Sequence, residues 1–165
     1  MIEAPTRVYV GVGGNVGEVE TTIEEAMWAL DSLPQTSIRA QSRLYRTPPW
    51  GNTDQPPFLN AVVELQTRLA PRVLLNLLLD IETRFGRKRD EGEKWGPREL
   101  DLDLLVFGDE QIDEPGMHLP HPHLHERAFV LVPLAEIAPD LEIFGVGKVS
   151  ELVQAVDASG IEAID

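Results

Sequence analysis

The sequence predicts an α+β fold, a ferredoxin-like βαββαβ sandwich with extra C-terminal elements, and three observations carry that expectation. Strand-like and helix-like patterns follow one another in the order β-α-β-β-α-β. Turn and breaker residues separate them, with no internal repeat and no interdomain linker. The length of 165 residues suits one domain over 1–165. A chain of this size buries roughly 70% of the surface its unfolded form exposes, so it needs no staples.

In the first strand, Arg7 to Gly13, Val8, Val10 and Val12 alternate onto one face, and Gly13 and Gly14 end the run. Ile23, Ala26, Met27 and Leu30 then recur at i, i+3, i+4 and i+7, the stripe of an amphipathic helix. Thr21 and Glu24 are spaced for a capping box at its start, and Pro34 marks its end. Ser37 to Arg46 reads as the second strand. Thr47 to Pro57 is a loop stiffened by Pro48, Pro49, Pro56 and Pro57. Asn60 to Leu69 is the third strand, alternating around Val63, Leu65 and Thr67. Pro71 suits a first helical turn, and Leu74, Leu77, Leu78 and Ile81 give the second helix its apolar face. Gly86 to Pro97, glycine-rich and charged, reads as a mobile loop. Leu100 to Phe107 is the fourth strand, closed by Gly108-Asp109. A Pro- and His-rich segment follows, then short helices near Ala128 to Ile137 and from Val149 to Val156.

Composition narrows the function classes. A net charge of −14 disfavours nucleic acid or an anionic membrane as partner. The absence of cysteine excludes structural disulfides and thiolate metal sites. Met1 to Thr6 has neither the basic region nor the apolar run of a signal peptide, and apolar runs such as Val73 to Leu79 are far too short to span a bilayer. A cytoplasmic protein is the expectation, as is a monomer. The basic residues are clustered: Arg84, Arg87, Lys88, Arg89, Lys94 and Arg98 are six of the fourteen. A local cationic patch on an acidic protein suits a small polyanion. It reads equally as a solvated loop balanced by Asp90, Glu91 and Glu93.

The chemistry centres on Asp101-Leu102-Asp103. Residues i and i+2 of a strand face one side, about 7 Å apart. Two such charges raise each other's pKa unless a cation sits between them. The apolar neighbours Leu100, Leu102, Leu104 and Leu105 make leaving them unpaired costly. Magnesium takes one or two carboxylates plus phosphate oxygens, so the pair fits Mg·ATP; the plain alternative is two exposed acids on a sheet edge. Trp95-Gly96-Pro97-Arg98 leads into the pair, and arginine forks match phosphate oxygens. Gly11-Val12-Gly13-Gly14-Asn15-Val16-Gly17 lacks both the G-x-G-x-x-G spacing and the Gly-Lys-Ser/Thr ending, and reads as a tight turn after the first strand.

Trp50 and Phe58 flank the proline-rich loop, Trp95 sits among the cations and Phe129 follows the histidines. Rings on a rigid loop suit a flat heteroaromatic ligand; pattern alone favours Phe58 and Phe129 as core. The four histidines are His118, His121, His123 and His125. Without cysteine or an i, i+4 helical frame a zinc site is disfavoured. His121, after Pro120, fits the lining of an anion site, and the others read as surface residues.

Tyr45-Arg46-Thr47-Pro48-Pro49, Phe58-Leu59-Asn60-Ala61, Trp95-Gly96-Pro97-Arg98 and Leu100-Asp101-Leu102-Asp103 occur in this order. Together they closely resemble the 6-hydroxymethyl-7,8-dihydropterin pyrophosphokinases of the folate pathway. Pro120-His121, Arg127, Phe129 and Pro133-Leu134-Ala135-Glu136-Ile137-Ala138-Pro139 continue the match, so the resemblance covers roughly residues 7 to 140. It implies a ferredoxin-like fold, ATP as co-substrate, two Mg²⁺ ions, and pyrophosphoryl transfer to the pterin hydroxymethyl oxygen with release of AMP. By position, Asp101 and Asp103 would bridge both metals. Arg87 and Arg98 would contact phosphates and neutralise transition-state charge. Glu82, His121 and Arg127 would lie on the nucleotide side. Phe58 and Phe129 would sandwich the pterin, Thr47, Pro48 and Asn60 would read its edge, and Trp95 would cap it as the loop closes.

Phe58 stands where the family often has tyrosine. Leu79 and Gly116 replace polar or basic nucleotide contacts, Pro122 a frequent tyrosine, and Gly14 a serine; the Gly86–Trp95 loop is one residue longer. The rival readings are a metal-dependent phosphohydrolase using the same carboxylates and a non-catalytic nucleotide- or pterin-binding module. Retention of both arginines and both aspartates argues against the module.

Overall fold

The structure, a computed structural model, describes residues 4–48, 54–85 and 99–164. In chain order its elements are β1 (Thr6–Gly14), α1 (Val19–Asp31), β2 (Thr36–Gln41), β3 (Tyr45–Thr47), β4 (Phe58–Thr67), α2 (Pro71–Arg84), β5 (Asp101–Phe107), β6 (Ile112–Glu114), β7 (Met117–Leu119), α3 (Ala128–Ile137), β8 (Glu142–Ile143), β9 (Gly147–Lys148), α4 (Val149–Gln154) and β10 (Glu162–Ala163). A 3-10 turn at Leu124–Glu126 precedes α3. The main sheet runs β10-β3-β4-β1-β5, with β2 also pairing β4, and its pairings are antiparallel. This is a mixed α and β frame in which each expected strand and helix is present.

The central strands are buried on both faces. On one, Val8, Val10, Val12, Val63, Leu65, Leu102 and Leu104 pack under Ile23, Ala26 and Leu30 of α1 and Leu74, Leu78 and Ile81 of α2. On the other, Tyr9, Val62, Leu105 and Val106 pack under Val130 and Leu134 of α3 and Val149 of α4. The run Leu104-Leu105-Val106-Phe107 lacks alternation because the β1–β5 register shifts between Tyr9 and Val10. Leu105 is the extra residue of that bulge, and it lets Leu105 and Val106 both join the second cluster.

Four details differ from the sequence reading. The turn read over Gly11 to Gly17 begins later than its first glycines: β1 runs through Gly14, with Gly13 paired to Asn60 and Gly14 to Leu59, and the chain bends only toward Gly17, at φ 79°. The strand expected at Ser37 to Arg46 is broken into β2 and β3, because the Ser42 Oγ accepts the Val62 N–H at 3.0 Å and replaces a ladder carbonyl. The third strand lies two residues earlier than expected, at Phe58–Thr67. The Thr21–Glu24 capping box is absent, because α1 starts at Val19 and its N-cap Glu18 makes no side-chain cap bond. Pro71 does occupy the first turn of α2, and α3 spans the expected residues. Beyond residue 109 the chain adds the β6–β7 and β8–β9 pairs, and it returns to pair β10 with β3. No helix among the described residues is long and apolar enough to cross a membrane.

Candidate active site

Asp101 and Asp103 project from edge strand β5 onto the α3 side of the sheet. Across the ladder Asp101 pairs with Gly13 and Asp103 with Gly11. A Cβ built on Gly11 would lie 3.8 Å from the Asp103 Cβ and 3.7 Å from Leu105 Cδ1, which places these residues on one face. Each aspartate therefore stands beside a position that carries no side chain; the space at Gly11 beside Asp103 is left clear, while the Asn60 side chain lies over Gly13 beside Asp101. Both are half-buried, and the same face is sealed further along by Tyr9 and Leu105. Among the described residues no group of three or more His, Cys, Asp or Glu is placed to hold a metal. A pair of hard carboxylate donors leaves the other coordination positions to water and ligand oxygens, the pattern that suits Mg²⁺.

A cleft of about 340 Å³ runs along the outer edge of β5, between α2 and the β7–His121 segment. Asp103, Glu82, His121 and Arg127 line it, together with Leu79, Gly116 and Pro122. Glu82 is buried, and its Oε2 accepts the Leu102 N–H at 2.7 Å. An edge strand leaves such outward amides unpaired; here the carboxylate takes the one midway between the two aspartates and so fixes their backbone.

The His121 amide donates to the Leu105 carbonyl at 2.8 Å, which ties the histidine segment to the same strand. Its Nδ1 accepts the His123 N–H at 3.2 Å, so the neutral ring carries its proton on Nε2. Burial lowers the His121 pKa below the ordinary histidine value; the Asp103 charge opposes this, and Arg127 and the neighbouring histidines reinforce it. His118 and His123 also line the cleft, and their exposed rings pair with Asp113 and Glu126, at 2.6 and 3.0 Å.

The second half of the site lies at the open end of the α3 face. Thr47 pairs with Phe58 and Tyr45 with Asn60. The Asn60 Nδ2 donates to Thr47 Oγ1 at 2.9 Å. Its Oδ1 lies over Gly13, where an added Cβ would overlap it and approach the Leu59 carbonyl oxygen to 3.0 Å. One row across the sheet thus reads Tyr45, Asn60, Gly13, Asp101. Phe129, in the first turn of α3, borders the second apolar cluster without being fully buried, and Phe58 is also half-buried. Arg127 at the α3 N-cap lines the edge cleft while its guanidinium stands 5.6 Å over the Phe129 ring, so it joins the two halves. Pro48 is exposed, and the returning tail meets it: a Cβ on Gly160 would lie 3.3 Å from Pro48 Cγ.

Arg87, Trp95 and Arg98, with Trp50 and the loop 86–97, lie outside the described residues. The sequence reading missed Asn15, which is buried and donates through Nδ2 to Gln55 Oε1 at 2.8 Å and to the Pro56 carbonyl at 3.0 Å, tying the end of β1 to the chain leading into Phe58. It also missed that Gly11 and Gly13 stand beside the two aspartates. The signal was available, since the alternation that put Val8, Val10 and Val12 on one face puts Tyr9, Gly11 and Gly13 on the other.

Residues 9–139 match the profile of the family described as 7,8-dihydro-6-hydroxymethylpterin-pyrophosphokinase. Among curated proteins, the 2-amino-4-hydroxy-6-hydroxymethyldihydropteridine pyrophosphokinase of Methylorubrum extorquens is 46% identical over 160 residues, covering 97% of this chain and 99% of that one. The protein of the same name from Pseudomonas aeruginosa is 46% identical over 158 residues, covering 96% of each. Among solved structures, Plasmodium falciparum HPPK-DHPS with pteroate aligns with a TM-score of 0.71 at 15% identity over 91% of this chain. This chain covers 42% of that one, so the likeness extends over less than half of the Plasmodium protein.

Proposed function

The chain belongs to the 7,8-dihydro-6-hydroxymethylpterin-pyrophosphokinase family, and from that premise we infer the part each residue takes in its reaction. The chain is a diphosphokinase that transfers the pyrophosphoryl group of ATP to the hydroxymethyl group of 6-hydroxymethyl-7,8-dihydropterin, a step of folate biosynthesis. The pterin hydroxyl oxygen forms a bond to the β-phosphorus, the bond from that phosphorus to the α-phosphate oxygen breaks, and AMP leaves. The strand order β3-β4-β1-β5, flanked by α1 and α2, supports reading the frame as the ferredoxin-like sandwich.

The observation that carries the assignment of roles is the pairing of Asp101 and Asp103 with Gly13 and Gly11. It leaves both carboxylates beside strand positions that carry no side chain, between the edge cleft and the slot at Thr47, Phe58, Asn60 and Phe129. We assign Asp101 and Asp103 to Mg²⁺, which when bound neutralises phosphate charge and draws the triphosphate to the carboxylates. Glu82 positions that pair through the Leu102 amide. His121 and Arg127 offer the nucleotide a neutral Nε2–H donor and a cation on the cleft wall, and Arg87 and Arg98 are assigned to the phosphates. Thr47, Pro48 and Asn60 read the edge of the pterin while Phe58 and Phe129 flank its ring, with Trp95 assigned to cap it. Catalysis then comes from positioning and charge neutralisation, and no side chain is assigned as general base.

The test is to incubate the protein with Mg·ATP and the reduced hydroxymethylpterin and identify the nucleotide product. AMP formed only with pterin present is the expected result. ADP, or phosphate released without pterin, would overturn the assignment, and activity surviving EDTA would remove the metal from it.

A further inference from the structure

We propose that Glu136 and Tyr45 form a positioning pair that sets the separation between the two walls of the pterin slot and so governs pterin affinity, an inference that rests on the pyrophosphokinase reading above. One wall belongs to β3 and β4, through Thr47, Phe58 and Asn60. The other belongs to the start of α3, through Arg127 and Phe129. Glu136, near the far end of α3, reaches across to β3: its Oε1 accepts the Tyr45 hydroxyl at 2.5 Å. Both its oxygens accept the Arg43 N–H, at 3.1 and 3.2 Å, and Arg43 Nε lies 3.8 Å away. Tyr45 is buried, two residues before Thr47 and directly across from Asn60. The Arg43 guanidinium stands 5.7 Å over its ring.

Local structure gives no reason for an acid at position 136. The helix reads Ala-Phe-Val-Leu-Val-Pro-Leu-Ala-Glu-Ile, and Glu136 is its single charged residue. It sits in the last turn, where the helix dipole disfavours negative charge. The compensation is tertiary, because the break between β2 and β3 turns the Arg43 amide and the Tyr45 hydroxyl toward the helix, and one carboxylate takes both. Burial, reinforced by the Glu136 hydrogen bond, raises the Tyr45 pKa above the ordinary tyrosine value, so the hydroxyl stays a donor at neutral pH.

The division of labour follows from the packing. Val130 and Leu134 hold α3 against the sheet by apolar contact, which survives loss of the polar pair. The seven steps of rise from Phe129 to Glu136 span about 10 Å of helix. A change of tilt at the Glu136 end is therefore felt at Phe129 and Arg127. Nothing in the pair lies on the edge cleft where Glu82 and His121 are found. The nucleotide half of the site, reached only through Arg127, should register its loss far less than the pterin slot does.

Steady-state kinetics of Tyr45→Phe, Glu136→Gln and Glu136→Ala, with thermal melts of each, test this. The expected result is a pterin KM raised about tenfold in Tyr45→Phe and Glu136→Ala, with the ATP KM within about twofold of wild type and kcat little changed. Glu136→Gln keeps an acceptor and should fall between them and wild type. An unchanged pterin KM in the folded variants, or pterin and ATP KM values rising together, overturns the proposal. Should Glu136→Ala not fold, Tyr45→Phe alone decides, since it deletes one oxygen and leaves the Arg43 contacts in place. A wild-type protein that makes no AMP would overturn the parent reading, an outcome distinct from any KM pattern among the variants.

Discussion

Strand β1 presents two different surfaces to the α3 side of the sheet within a few residues. At Tyr9 the face is closed, with the ring 2% exposed and packed among Val62, Leu105 and Val106 under α3. At Gly11 and Gly13 the same face carries no side chain from β1, and the neighbouring strands supply Asp103, Asp101 and Asn60, whose amide lies over Gly13. The opposite face shows no such change, since Val8, Val10 and Val12 are all buried beneath α1 and α2. Stability is thus drawn from one complete face and half of the other. The remaining half is left open to polar groups from β3, β4 and β5, because β1 contributes no side chain there. Apolar burial holds the closed half; the open half sets two carboxylates on one edge strand, where they add little to the apolar core.

The largest effect that would break this contrast is loss of a carboxylate in the open half. Asp103→Ala is expected to lower AMP formation by about a thousandfold or more, the scale of losing a transition-state electrostatic contact, while its melting temperature stays the same or rises. Near-native turnover in that variant would defeat the assignment of the pair.

In the closed half the expectation inverts. Leu134→Ala removes a fully buried side chain and should cost about 2–5 kcal/mol in denaturant unfolding. Its kcat, measured where the protein remains folded, should be little altered. A variant that instead lost activity without losing stability would show that the two halves are not separable.

The two glycines sharpen the contrast further. At Gly13 a methyl group meets Asn60 and the Leu59 carbonyl, so Gly13→Ala should cost about 1–3 kcal/mol and raise the pterin KM by displacing Asn60. At Gly11 the nearest atoms are an ordinary 3.7 to 3.9 Å away, so Gly11→Ala should change stability by less than about 1 kcal/mol. Equal stability losses in a pair of melts would refute this reading of the floor.

The smallest expected effect is a titration in the closed half. Burial, with the Glu64 charge and hydrogen bond, raises the Tyr9 pKa to about 12. The unfolded chain releases that proton near pH 10, so the folded protein holds a proton that the unfolded one has lost. Stability is therefore complete below about pH 10 and declines toward pH 12, as Tyr9 ionises in the folded state. Tyr9→Phe should flatten this part of a stability-against-pH curve.

Much of this arrangement was legible from residue order. The helix Ala128–Ile137 was foreseen in place, because its apolar run is bounded by signals that act locally. So was the shared face of Asp101 and Asp103, since strand periodicity alone dictates it. Glu82, His121 and Arg127 line one cleft with Asp103, a meeting that only the tertiary structure brings about. The turn read over Gly11 to Gly17 overlapped the first strand because glycine is locally permissive; hydrogen-bonded neighbours on both sides hold Gly11 and Gly13 in the strand read as Arg7 to Gly13. The break at Ser42 was likewise invisible, because it depends on a hydroxyl meeting the Val62 amide, twenty residues away.

The sequence by itself determined the elements, their order, the carboxylate pair and the chemistry that pair invites, because periodicity, breakers and motif spacing are properties of neighbouring residues. Tertiary structure alone decided that glycines lie beside the aspartates, that Glu82 takes the amide between them, and that Glu136 fastens α3 to β3. Each of those depends on register and packing between segments far apart in the chain, where close approach and hydrogen-bond satisfaction outweigh local preference.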